Sequence, residues 1–202
     1  MAAAIGAGMP IELPKGNMII DIGGGTTEVA IISLSAIAYS ESLRVAGDEL
    51  DEAIVRYLQK KLQLAIGVIA AEKIKIEGAS AYPIDSLSDS INVVGKDLLT
   101  SIPKTIKIPK EDVREAIEEP VAAIIDAVRR ALEKLPAEFI SDLNEAGIVL
   151  TGGGALLKGL AQRIDNETGI VVTIADDPLT SVTMGCGKAL EDMAKYKKVF
   201  IN

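Results

Sequence analysis

Twice in this sequence a β-branched apolar run ends in three consecutive glycines. Met18-Ile19-Ile20-Asp21-Ile22 runs into Gly23-Gly24-Gly25, and Ile148-Val149-Leu150-Thr151 runs into Gly152-Gly153-Gly154. Three glycines in a row weaken helix and strand alike and mark a bend with no side chains in the way of its backbone amides. The first bend is followed by Thr26 to Ile32, a second β-branched run with partial alternation, so 17–32 is expected to be a strand–turn–strand hairpin. The second is followed by the helix-like run 155–164, so that stretch is expected to be strand, turn, helix.

The remaining patterning fits around these bends. A third strand is expected at 37–45, after a turn at 33–35. Leu50, Ile54, Tyr57, Leu58 and Leu62 recur at helical spacing after Gly47-Asp48, with acids at the start and Lys60-Lys61 at the end, as the helix dipole prefers. Residues 70–77 read as a second helix stopped by Gly78. The stretch 79–108 is polar and turn-rich (Pro83, Asp85-Ser86, Ser88-Asp89-Ser90, Gly95), with short strand-like runs at 91–94 and 105–108. Residues 110–134 return to helix, broken or kinked at Pro120. A short helix at 136–144, a strand at 170–174 and a last helix to about Lys195, capped by Asp177-Pro178, complete the chain. The sum is an α/β fold with a mixed sheet flanked by helices. A small α+β subdomain is inserted at 63–108, between 1–62 and 109–202.

Composition removes whole classes of chemistry. The 202 residues contain no histidine, which excludes Ser-His-Asp and Cys-His nucleophiles and most zinc enzymes. What remains is carboxylates, hydroxyls, lysines, amides and a hard metal ion, the palette of phosphate chemistry with magnesium. A net charge of −8 with scattered basic residues argues against a nucleic-acid partner. No apolar run reaches the roughly 18–20 residues of a membrane-spanning helix, and 1–9 lack the charged leader of a signal peptide. Cys186 stands alone, which fits a reducing compartment, with cytoplasm as the default. Between Gly185 and Gly187 it reads as close packing of the last helix on the sheet, and Arg129-Arg130 as a helix terminus.

Three segments can carry the chemistry. In Asp21-Ile22-Gly23-Gly24-Gly25-Thr26-Thr27 the bare amides suit a polyanion, the two threonines can add hydroxyl contacts, and Asp21 can hold magnesium or its waters. A plain tight hairpin is the competing explanation. The Gly152-Gly153-Gly154 bend allows backbone to approach a flat ring or a phosphate. It lacks the third glycine and the βαβ context of a dinucleotide fold, and close helix–strand packing explains it equally well. Glu72 and Lys75, three apart on one helical face, can grip ribose and a base edge or stand as an exposed charged pair.

In this order the segments resemble the second lobe of the actin, heat-shock-chaperone and sugar-kinase superfamily, whose core is ribonuclease H-like. The similarity is closest to the MreB family of bacterial actins. It rests on Asp21-Ile-Gly-Gly-Gly-Thr-Thr-Glu-Val-Ala, Arg44-Val-Ala-Gly-Asp-Glu-Leu-Asp-Glu-Ala-Ile, Ile148-Val-Leu-Thr-Gly-Gly-Gly-Ala-Leu-Leu-Lys-Gly and Asp177-Pro-Leu-Thr, and it runs nearly end to end. The stretch 76–94 departs most. The resemblance implies ATP or ADP with Mg2+ as cofactors and Gly23, Gly24, Gly25 and Thr26 as a phosphate loop. It implies Asp21 by the metal, Thr27 near the attacking water, and Gly47 and Asp48 near the phosphates. Glu72 and Lys75 would then face the nucleoside, and Gly152, Gly153 and Gly154 the adenine. It further implies self-association into filaments that direct cell shape and wall synthesis, with partners such as RodZ. Membrane association would come through segments outside this chain. The superfamily's first phosphate loop and Glu-Pro glutamate are not among these residues, so a fragment or split-gene product with weak nucleotide binding and negligible turnover is expected. A sugar or acetate kinase, or a chaperone or pilus-assembly ATPase, is the alternative within the same superfamily.

Overall fold

The structure, a computed structural model, describes residues 1–83 and 90–200. Its centre is β1 (Asn17–Ile22), buried along nearly its whole length. β2 (Thr27–Ser33) pairs antiparallel with it across the first glycine bend, and β3 (Ala36–Leu43) pairs antiparallel with β2. On its other side β1 pairs parallel with β7 (Ile148–Thr151), which pairs parallel with β8 (Val172–Ile174). The mixed sheet therefore runs β3-β2-β1-β7-β8.

The two-residue period of the strands sorts their side chains onto two cores. Met18, Ile20, Ile22, Val29, Ile31, Ile148 and Leu150 face one cluster, shared with α2 (Gly47–Leu62), α5 (Glu118–Glu133) and α7 (Leu160–Thr168). Ile19, Ala30 and Ile32 face the other, with α1 (Ala2–Gly6) and α8 (Ser181–Glu191). In α5 an apolar stripe is buried at Val121, Ile124, Ile125 and Val128, with Leu132 partly buried at its end. Each such side chain contributes about 1.5–3 kcal/mol of transfer free energy.

A second, antiparallel sheet is made of β4 (Leu64–Ala65), β5 (Ser90–Asp97) and β6 (Pro103–Pro109). It lies beside α3 (Val68–Gly78), and its Leu64, Val93 and Ile108 join the first core. α4 (Lys110–Ala116) and α6 (Ala137–Ala146) complete the set. The turns expected at Asp85-Ser86 and Ser88-Asp89 lie outside the described residues.

Five details differ from the sequence-based expectations. The break in 110–134 falls at Ile117, between α4 and α5. Pro120 sits in the first turn of α5, where its missing N–H has no intrahelical partner to lose. The helix expected at 155–164 is instead a 3-10 turn at Gly153–Leu156 followed by α7. Gly159, with φ +73°, separates the two because a Cβ there would lie 2.8 Å from that of Tyr82. Asp177-Pro178 does not cap the last helix, whose N-cap is Thr180; the Asp177 carbonyl accepts the Ser181 hydroxyl instead. The helix ends at Glu191, short of Lys195. Finally, of the small residues flanking Cys186, Gly185 packs α8 on α1 rather than on the sheet, and a Cβ on Gly187 would meet nothing within 4 Å. A Cβ on Gly6 would lie 1.7 Å from the Ser181 carbonyl oxygen, and one on Gly185 would lie 1.8 Å from that of Ala2.

Candidate functional site

Because β1 and β7 are parallel neighbours, in register at Ile20 with Leu150 and Asp21 with Thr151, both glycine bends emerge at the same edge of the sheet. The outer ends of parallel strands are where open α/β sheets bind ligands.

The first bend is locked from below. The Gly23 amide donates to the Thr26 carbonyl at 2.9 Å. The Gly23 and Gly24 carbonyls accept from the amides of Gly47 and Asp48 at 3.1 and 2.8 Å, so the start of α2 holds the bend. In a trans peptide the N–H points opposite to the preceding C=O. With those two carbonyls turned toward α2, the Gly24 and Gly25 amides point away from it. Gly24, Gly25 and Thr26 are exposed, and among the described residues their amides have no acceptor. A row of bare amides of this kind is an anion-binding concavity.

The amides of Gly47 and Asp48 are thus committed to the bend and act through it. The Asp48 carboxylate lies beside Gly24, 3.4 Å from where a Cβ would stand. Thr27 is placed differently from the expectation of a water-facing hydroxyl. It is fully buried, and its hydroxyl donates to the Val45 carbonyl at 2.7 Å, which pins β2 to the segment leading into α2.

Asp21 sits between the two bends, half-buried, with no hydrogen-bonding or ionic partner among the described residues. Burial, and then repulsion from Glu28, push its carboxyl above the usual carboxylate range. A cation would relieve both effects. No group of three or more metal-binding side chains occurs among the described residues. A magnesium ion at Asp21 therefore needs phosphate oxygens and waters for its other ligands, as such ions ordinarily have.

The second bend packs directly on β1. A Cβ on Gly152 would stand 2.5 Å from Asp21 Oδ1, and one on Gly154 would stand 2.2 Å from Ile22 Cγ2. The Gly152 amide and the Thr151 hydroxyl both donate to the Pro178 carbonyl, at 2.8 and 3.2 Å. Gly152 and Gly154 thus serve close packing, while Gly153 stays exposed with Leu179 against it.

On α3, Glu72 is exposed. Lys75 is not an exposed partner for it. Its ammonium donates to the Gly47 carbonyl at 3.0 Å and to Asp51 Oδ2 at 2.8 Å. Sequence reasoning missed Asp51, Thr151 and Pro178. Asp51 had a signal, being an acid on the inner stripe of α2 beside Leu50 and Ile54. The end of α3 also reaches the second bend's segment, where Ser80 bridges Lys158 and the Ala81 amide donates to the Lys158 carbonyl at 2.7 Å.

The family model described as MreB/Mbl protein matches residues 1–198. The chain is 50 % identical over 191 residues to the cell shape-determining protein MreB of Escherichia coli K12, covering 95 % of this chain and 55 % of that protein. It is 42 % identical over 196 residues to the cell shape-determining protein Mbl of Bacillus subtilis 168, covering 97 % and 59 %. Among solved structures, MreB5 of Spiroplasma citri bound to ADP superposes with a TM-score of 0.92 at 36 % identity, covering 98 % of this chain and 60 % of that one. A MamK double helical filament, at 22 % identity and a TM-score of 0.78, shares the fold. The chain spans little more than half the length of the curated relatives it matches. Both curated relatives are named for cell-shape determination, and neither is named a kinase or a chaperone. The chain belongs to the MreB/Mbl family.

Proposed function

We propose that this chain is the nucleotide-binding lobe of a bacterial actin that polymerises with ATP into cytoplasmic filaments directing cell shape and wall synthesis. The lobe comprises 1–62 and 109–202, with 63–108 as an inserted subdomain. The observation that carries this is the pair of glycine bends at one sheet edge, with the free amides of Gly24, Gly25 and Thr26 beside an unpaired Asp21. The amides receive phosphate oxygens, and Thr26 adds its hydroxyl. Asp21 holds Mg2+ or its waters. Gly47 and Asp48 set the bend, Thr27 fixes its far strand, Glu72 and Lys75 face the nucleoside, and Gly152, Gly153 and Gly154 lie by the base. When bound, the metal offsets charge on the transferred phosphate. Membrane contact and partners such as RodZ belong to the complete protein in this proposal. Support for a role in cell shape comes from relatives named for shape determination.

The test is a titration of the 202-residue chain with ADP and magnesium, followed by amide resonances in a nitrogen-15 NMR spectrum. Shifts are expected first at Gly24, Gly25 and Thr26, then at Gly153. Positioning from one wall alone is incomplete, so affinity is expected to be weak and ATP turnover no faster than background. Shifts confined to residues away from both bends would refute the assignment.

A further inference from the structure

Asp51 stands out among the charged groups near the bends. It is 4 % exposed, and its Oδ1 is buried with no hydrogen-bond donor among the described residues. Its Oδ2 accepts from Lys75, which reaches across from α3. A half-satisfied buried carboxylate destabilises a fold unless something compensates, and such groups concentrate at functional sites. Asp48 and Glu72 add negative charge around it. The ammonium of Lys75 has three N–H donors. One is directed at Asp51 and a second at the Gly47 carbonyl, and Gly47 in turn donates its amide to the Gly23 carbonyl of the first bend. Two fixed bonds leave a single direction for the third donor. Gly47 is packed into this junction: a Cβ there would stand 3.3 Å from the Gly23 carbonyl oxygen and in ordinary contact, at 3.5 Å, with the Lys75 ammonium and Gly24 Cα.

We propose that Asp51 is a positioning residue for nucleotide binding. It anchors Lys75 on the start of α2, so that the third N–H of Lys75 is aimed at the nucleotide while the same ammonium braces the phosphate-binding bend. Asp51 touches no ligand and acts through Lys75. The assignment rests on the nucleotide-binding function proposed above.

The test compares ADP-magnesium affinity of the unsubstituted chain with Asp51→Asn, Lys75→Met and the double variant, using the same NMR titration, with thermal melts to confirm folding. Asp51→Asn keeps shape and removes the charge that holds Lys75. Its ADP dissociation constant is expected to rise roughly tenfold, the scale of one charge-assisted hydrogen bond. In the Lys75→Met background Asp51→Asn should cause no further loss, a non-additivity that a merely structural role would not produce. If Asp51→Asn does not fold alone, the double variant, which buries no lone charge, still has to match Lys75→Met in affinity. Unchanged or tighter ADP binding by folded Asp51→Asn, or additive losses in the double variant, would overturn the proposal. Absence of ADP binding by the unsubstituted chain would defeat both proposals, and it is distinguished because it appears before any substitution is made.

Discussion

Gly152→Ala tests whether the second bend depends on a missing side chain. Gly152 has φ +80° and ψ +168°, a region occupied almost only by glycine, where a side chain costs of order 1–3 kcal/mol. The new Cβ would also stand 2.3 Å from the Ile22 carbonyl oxygen and 2.5 Å from Asp21 Oδ1. Relief requires bending β1, the central strand of the sheet, and overpacking of this kind costs about 1–3 kcal/mol more. Gly169 is the internal control. It is also left-handed, with φ +72° and ψ +11°, at the end of α7, but its added Cβ meets nothing within 4 Å. Gly169→Ala therefore carries only the conformational cost, about 1 kcal/mol. For a chain of this size each kcal/mol lowers Tm by about 2–4 °C. Taking about 4 kcal/mol for Gly152→Ala, its melting temperature should fall by roughly 8–16 °C, against about 2–4 °C for Gly169→Ala. Thermal melts followed by circular dichroism measure both. Equal falls in the two variants would refute the reasoning, since they would mean that β1 yields to the new side chain without resistance.

Three further outcomes follow from the same geometry. Thr27→Val removes the donor to the part-buried Val45 carbonyl at 2.7 Å and should destabilise by about 1–2 kcal/mol in a urea melt; a neutral result would mean that the hydroxyl does not pin β2. Asp21→Asn removes a half-buried, unpartnered charge, so at pH 7 it should raise the melting temperature while weakening ADP-magnesium binding, the usual opposition of stability and function at a site. A lower melting temperature with unchanged binding would contradict this. Asp97, at the β5–β6 turn, is held down to about 2 by the Thr100 amide, then by Lys104 and the Leu99 amide. A depressed carboxyl stabilises the fold above its unfolded value near 4, and that contribution is lost as pH falls toward 2. Asp97→Asn should accordingly flatten the acid limb of the pH–stability curve between those values, and an unaltered limb would exclude the turn as its source.

Much of the architecture was legible because it depends on local periodicity. The meander of β1, β2 and β3, the α2 stripe and the α5 stripe all follow from side-chain spacing. The misplacements arise where a tertiary contact decides. A helix through 155–164 satisfies every local preference, but Gly159 is needed against Tyr82, so the chain turns left-handed and the helix starts again at Leu160. Likewise, nothing in the alanine-rich start of the chain distinguishes a helix from a plain apolar arm until Gly6 and Gly185 are seen to bring α1 against α8. Pro178 looked like a helix-starting residue. Its carbonyl is instead the acceptor that fixes Gly152 and Thr151, a role no residue type announces.

The candidate site was legible as two motifs but not as one surface. Each glycine triplet has a sufficient local explanation by itself, the first as a hairpin and the second as close packing, and the structure shows that Gly152 and Gly154 do pack closely. What joins them is the parallel pairing of β1 with β7, across more than half the chain, and that pairing appears in neither motif. Once it exists, the strand direction sends both bends to the same edge. The packing of Gly152 on Asp21 then becomes part of the site, because a side chain there would occupy the space beside the Asp21 carboxylate. Packing and binding are therefore not competing explanations for these glycines. The close approach that stabilises the sheet is also what leaves backbone amides and one carboxylate bare at that edge, the surface on which the proposed nucleotide binding rests.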